Sequence, residues 1–161
     1  MVSAYQVAAQ VPDPELPMVT LADLGILRDV TEDGQTVIAT ITPTYSGCPA
    51  MREISHDLRH RLHNAGYANV TVRTRLAPIW TSDWITEDGR RKLAEAGIAP
   101  PNAAPRRAGP IPLTLHPSRV VACPRCSSTA TTQTAPFSGT SCKSLYRCNE
   151  CREPFEYVKE I

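Results

Sequence analysis

Two Cys-x2-Cys pairs, Cys123-Pro-Arg-Cys126 and Cys148-Asn-Glu-Cys151, constrain the fold of this chain more than any other feature. Two cysteines three apart on a tight turn can both reach one ion, at about 2.3 Å from each sulfur, and a second such turn closes a tetrahedron. The pairs are separated by 21 residues, just beyond the spacing of about 15–20 usual for a four-cysteine zinc site. Between and after them, Tyr146, Phe155 and Tyr157 suit a small β zinc ribbon. Residues 118–161 are too few to bury a sufficient core unaided, so the metal supplies much of the module's folding energy. Four thiolates leave no open coordination position, which makes Zn2+ here structural. Cys142, six residues before Cys148, reads as a small buried hydrophobe beside the ribbon, with an auxiliary-ligand role as the alternative.

Upstream, Pro100 to Pro117 holds six prolines in 18 residues. Proline fixes φ and removes a backbone donor, so this stretch is neither an interior helix nor a paired strand and reads as a semi-rigid connector. The expected organisation is a main domain at 1–99, a connector at 100–117 and a zinc ribbon at 118–161. The chain carries 17 Lys+Arg against 16 Asp+Glu, and the ribbon only 6 against 4. Neither part has the positive field that non-specific nucleic-acid or anionic-membrane binding needs. No apolar run approaches the roughly 18–20 residues of a membrane span. The N-terminal MVSAYQVAAQ has neither a basic nor an apolar signal-peptide region, so a cytoplasmic protein is expected. There, cysteines serve metals or reactive chemistry more often than disulfides.

In the main domain the pattern predicts a short helix over Ser3–Gln10 and strands over Ile26–Val30 and Thr36–Ile41 around Asp33-Gly34. Met51, Ile54, Leu58 and Leu62 recur at helical steps, predicting a helix over Ala50–Ala65 that stops at Gly66. A half-buried strand over Val70–Leu76 and a helix capped by Thr86 and ended by Gly97 complete an α+β fold, a small mixed sheet with packed helices.

Cys48 lies in Thr42-Pro-Thr-Tyr-Ser-Gly-Cys-Pro-Ala-Met, between a strand and a helix. With Pro49 at the first helical position, Cys48 falls at the N-cap, where free N–H groups and the macrodipole favour a thiolate. An inert buried cysteine is the competing reading. His56, eight residues along the same helix, is about 12 Å away at 1.5 Å per residue, too far to act as its base. His56, His60 and His63 share one helical face but alternate with Arg59 and Arg61, and read as a solvated polar face more readily than as a metal site. Asp13 and Asp23 read as turn and cap residues. Trp80 and Trp84 read as packing onto the sheet, with a partner-binding patch as the alternative.

Asp13-Pro-Glu-Leu-Pro, Asp23-Leu-Gly-Ile-Leu-Arg-Asp-Val and the Thr42–Met51 segment resemble the SufT-like family of Fe–S assembly factors. Trp80-Thr-Ser-Asp-Trp-Ile-Thr, Gly97-Ile-Ala-Pro-Pro and the cysteine-rich module narrow the resemblance to the PaaD (PaaJ) family, encoded with the subunits of the bacterial phenylacetyl-CoA epoxidase. That resemblance implies an accessory subunit of a multicomponent monooxygenase, not an enzyme. It further implies a pocket of Asp13, Glu15, Thr44 and Cys48, iron or an Fe–S cluster handled transiently at Cys48, and the epoxidase's Fe–S reductase as partner. On this reading the ribbon docks the client. Two protomers can each donate one cysteine, which makes a homodimer an alternative to a monomer. A non-catalytic scaffold holding the epoxidase components together is the alternative function.

Overall fold

A computed structural model describes residues 2–103 and 120–161. Most of the proline-rich connector, from 104 to 117, lies outside the described residues. The chain divides into two compact units, residues 1–92 and 93–161.

The first unit opens with α1 (Ala4–Ala9), set by a capping box in which Ser3 Oγ accepts from Gln6 N and Gln6 Oε1 accepts from Ser3 N. Strands β1 (Leu27–Asp33) and β2 (Thr36–Ile41) form an antiparallel hairpin whose turn passes through Gly34 at φ +57°. A register shift between Leu27 and Asp29 bulges the start of β1. From β2 the chain runs through α2 (Met51–Asn64) into β3 (Asn69–Thr74), which pairs with β2 in parallel. The sheet order is β1-β2-β3.

Parallel pairing aligns the ends of β2 and β3. Ile41 lies beside Thr74, and Leu27 of antiparallel β1 sits opposite Ile41. One end of the sheet therefore gathers the segment before β1, the Thr42–Ala50 loop and the chain leaving β3. Val37, Ala39 and Ile41 of β2 are buried on one face, as are Ile54, Leu58 and Leu62 of α2. Leu62 packs with Ala4 and Val37 in one cluster. Each of these Val, Ile and Leu side chains removed from water contributes about 1.5–3 kcal/mol. At the opposite end of the sheet, Glu32 ties α1 and the segment between α2 and β3 to the hairpin, accepting from Ala4 N at 2.9 Å and from Tyr67 Oη at 3.0 Å.

Beyond β3 the chain departs from the expected strand: the strand ends at Thr74, and Leu76 is 63% exposed. Trp80 is buried and donates from Nε1 to Leu24 O at 2.8 Å. Trp84 closes a 3-10 turn (Ser82–Trp84) under the Arg28 guanidinium, 3.6 Å from the ring centroid. Gly25, at φ +67°, lies so close to Trp84 that an added Cβ would stand 2.6 Å from the tryptophan Cβ, which no other residue type accommodates. Helix α3 (Glu87–Glu95) follows, with Gly89 N donating to Thr86 Oγ1 at 3.0 Å.

In the second unit, β4 (Ile98–Ala99), β5 (Thr131–Ala135), β6 (Lys143–Cys148) and β7 (Pro154–Val158) form a sheet of order β4-β7-β6-β5. Ile98 and Ala99, which the sequence pattern assigns to the first domain, pair in parallel with Glu156 and Tyr157. A strand of two residues gives little periodic signal, and its partner lies some 58 residues away. The core here is small: Ala99, Val121, Cys123, Tyr146, Cys148, Phe155 and Tyr157. Tyr146 stacks on Phe155 and meets Tyr157 edge-on, at centroid distances of 5.9 and 5.5 Å. Buried Lys143 pairs with Glu156 at 2.8 Å, and Ser138 also donates to that carboxylate. No described helix is long and apolar enough to cross a membrane.

Candidate metal centre and cysteine loop

The four paired cysteines converge. One sulfur each from Cys123, Cys126, Cys148 and Cys151 lies within 4.8 Å of the others, with Cys123–Cys151 at 3.7 Å and Cys126–Cys148 at 3.5 Å. A tetrahedral ion at about 2.3 Å from each sulfur sets them about 3.8 Å apart, so the set fits one ion. A two-iron cluster would hold its thiolate pairs further apart than this. The donor chemistry, four soft thiolates, suits zinc.

Each knuckle is built the same way. The first cysteine's N–H is bonded across the turn, Cys123 N to Ser128 O and Cys148 N to Glu153 O, both at 2.9 Å. The residue after the second cysteine is left-handed, Ser127 at φ +61° and Arg152 at φ +65°. A non-glycine residue held there stores about 1–3 kcal/mol of strain, which persists only where the surroundings over-determine it. Arg125 joins the knuckles through Glu153 at 2.7 Å.

The thiols oppose one another. The backbone N–H of Cys151, with that of Glu150, holds Cys148 down to about 7 although burial acts the other way. Cys151 receives a favourable N–H from Glu153, but burial and the sulfurs of Cys126, Cys148 and Cys123 push it up to about 12. Four adjacent thiolates need a cation among them, and a bound zinc would replace the protons that otherwise keep the group neutral. Cys142 stands outside the set, half-buried, with its sulfur 3.1 Å from Thr140 Oγ1.

The second candidate group, Asp13, Glu15, Thr44 and Cys48, belongs to the turn after α1 and to the loop after β2. Asp13 is buried and caps its own turn, accepting from Glu15 N and Leu16 N at 2.9 Å each. Its backbone N–H bonds Val19 O at 3.0 Å, and Pro12 bridges to Thr20. Thr44 and Cys48 are half-buried in the loop after β2, while Thr42, which opens that loop, buries an Oγ1 with no hydrogen-bond partner among the described residues. The N-cap placement of Cys48 is corrected. The regular helix begins at Met51 with Ala50 as its cap, because Pro49 and Ala50 form a preceding turn closed by Met51 N on Cys48 O at 3.3 Å. Cys48 opens that turn, two residues before the cap and so further from the helix's unpaired amides. Thr44 and Cys48 belong to the loop that leaves β2 after Ile41, and the printed partners of Asp13 lie within its own turn and at Val19. Among the described residues, only the four ribbon cysteines form a group of three or more metal-ligating side chains.

Asp23 is the cap that the sequence predicts, with a larger role besides. Its carboxylate accepts from Thr20 N at 2.9 Å and pairs with Lys92 Nζ at 2.8 Å, while its carbonyl accepts from Thr86 N at 2.9 Å. Lys92 also reaches Asp88 at 2.8 Å. The three histidines are exposed, and His63 Nδ1 donates to Tyr67 O at 2.8 Å. They join no group of three or more metal-ligating side chains among the described residues. A groove of about 790 Å³ between Val7, Glu32, Gly34 and Tyr67 lies at the opposite end of the sheet from Cys48.

Known proteins match both units. The "Iron-sulfur cluster assembly protein" family matches residues 6–73, and the "PaaD zinc beta ribbon domain" family matches residues 108–159. A crystal structure of a domain of unknown function, DUF59, from Bacillus anthracis is 29% identical and superposes with a TM-score of 0.52, over 56% of this chain and 87% of that one. A solution structure from Mycobacterium tuberculosis, described as associated with Fe–S complex assembly and repair, is 31% identical over 58% of this chain and 80% of its own, with a TM-score of only 0.33. An Escherichia coli K12 protein, named as one of the subunits of a "Putative 1,2-phenylacetyl-CoA epoxidase", is 43% identical over 157 residues, 98% of this chain and 91% of its own. With an Fe–S assembly domain, a four-cysteine ribbon and end-to-end similarity to that protein, the chain belongs to the PaaD family of phenylacetyl-CoA epoxidase subunits.

Proposed function

We propose that this protein is a non-catalytic maturation factor for a cytoplasmic phenylacetyl-CoA epoxidase. On this reading it assists insertion of iron or an Fe–S cluster into the reductase or oxygenase component, the Fe–S reductase being the favoured client. The observation that carries the reading is the half-buried placement of Cys48 in the loop that follows β2. A single thiolate in such a loop makes a weak site that can pass its cargo on, whereas a resident cofactor needs a fuller ligand set. The missing ligands then come from the client. The zinc of the ribbon has a structural part, folding a module that contacts the client.

The test is co-expression of the epoxidase components with wild type or Cys48→Ala, followed by iron and sulfide analysis of the purified reductase. The expected result is an intact complex whose reductase has lost most of its cluster. A fully loaded reductase with Cys48→Ala would favour a scaffold that only holds the components together.

A further inference from the structure

The sheet end that carries Cys48 also carries an apolar, basic surface that the function above does not use. Leu76 and Ile79, three residues apart in the chain leaving β3, are 63% and 79% exposed. Just before them, Arg73 and Arg75 are exposed, and neither side chain has an ionic or hydrogen-bonding partner among the described residues. Strand β3 is one of the sheet's two edges, and no described strand pairs with its outer side. Asn69 N and Arg75 N donate inward, to Gln35 O at 3.1 Å and Ile41 O at 2.8 Å. By strand alternation Val70, Val72 and Thr74 turn their N–H and C=O groups outward. An edge with free amides, two unpaired arginines and two apolar side chains is complementary to an extended, acidic segment with an apolar anchor.

A second copy would bring like charges together. Antiparallel pairing of two β3 strands centred on Val72 places Arg73 opposite Thr71 and diagonal to Arg73 of the copy, at about 7–8 Å. A register moved toward the end of the strand sets Arg73 opposite itself or opposite Arg75. One moved the other way leaves fewer strand residues paired.

We infer that the β3 edge, with Arg73, Arg75, Leu76 and Ile79, is the surface on which an acidic extended segment of an epoxidase component docks, beside Cys48. The inference rests on the maturation reading and deepens it. Because β2 and β3 are parallel, the part of the docked segment that lies over Arg75, Leu76 and Ile79 is at the carboxyl ends of the strands, the end from which the Cys48 loop emerges. A docked client is thereby presented to the thiol.

The test uses the full chain and each purified epoxidase component in turn, with affinity read by calorimetry. Wild type is compared with Arg73→Glu/Arg75→Glu, with Leu76→Asp/Ile79→Asp, and with Arg59→Glu/Arg61→Glu on α2 as a charge-matched control; circular dichroism verifies the fold of each. The expected result is at least tenfold weaker binding to one component for both edge variants, with the control unchanged. Edge variants that bind like wild type would overturn the docking surface and leave the maturation reading standing. Wild type that binds no component would overturn both. Loss of self-association in the edge variants, with client binding intact, would show that a second copy covers the edge and would also overturn the inference.

Discussion

Asp23 holds three segments together with one side chain and one carbonyl, and its charge state decides whether they stay together. Burial alone would raise its pKa, but Lys92 at 2.8 Å and the Thr20 donors hold the carboxyl below its ordinary value. Lys92 is correspondingly raised by Asp23 and Asp88. The stabilisation from Asp23 is therefore present above its unfolded pKa of about 3.9 and is lost as pH falls through the lower folded value. That from Lys92 is present below about 10.4 and is lost as pH rises through the higher folded value. Asp23→Asn should cost about 1–2 kcal/mol at neutral pH. It should also flatten the acid side of the stability curve, which denaturant melts at pH 3 and pH 7 will measure. An unchanged difference between those two pH values would show that Asp23 does not carry the acid dependence. The capping role of Asp23 was legible in the sequence because Thr20 is three residues away. Its pairing with Lys92 was not, because the partner lies 69 residues on. The buried Lys143–Glu156 pair escaped for a different reason: local sequence does not mark which lysine a sheet will bury.

At the scale of elements, the zinc knuckles were the most legible part of the chain, since a Cys-x2-Cys turn is defined by residues in immediate succession. Their left-handed positions were hidden, because Ser127 and Arg152 stand where glycine would have advertised the turn. Replacing either with glycine should relieve strain and stabilise the ribbon by about 0.5–1 kcal/mol. Thermal melts of Ser127→Gly and Arg152→Gly at saturating zinc give the measurement, and a lower melting temperature in both would refute the strain argument. Helix α2 was equally plain from Ile54, Leu58 and Leu62. Its start was not, because Pro49 is as compatible with a preceding turn as with a first helical residue. The two-residue β4 has no local signature and exists only through β7.

At the scale of the molecule, the two compact units rest on different forces. The first buries helices on a sheet, and the second has a small described cluster that includes Cys123 and Cys148, two of the four metal-binding cysteines. A strong chelator should accordingly abolish amide protection in β5, β6 and β7 while α2 and β2 keep theirs, as hydrogen exchange will report. Simultaneous loss of protection in both units would show that they unfold as one. The quartet is also lopsided: Cys123 and Cys148 are buried, Cys126 and Cys151 exposed. An incoming ligand can approach the ion from the Cys126 and Cys151 side without prior unfolding. Tight binding and slow exchange are thereby separated, and a competing thiol should strip the ribbon at a rate that depends on the thiol's concentration.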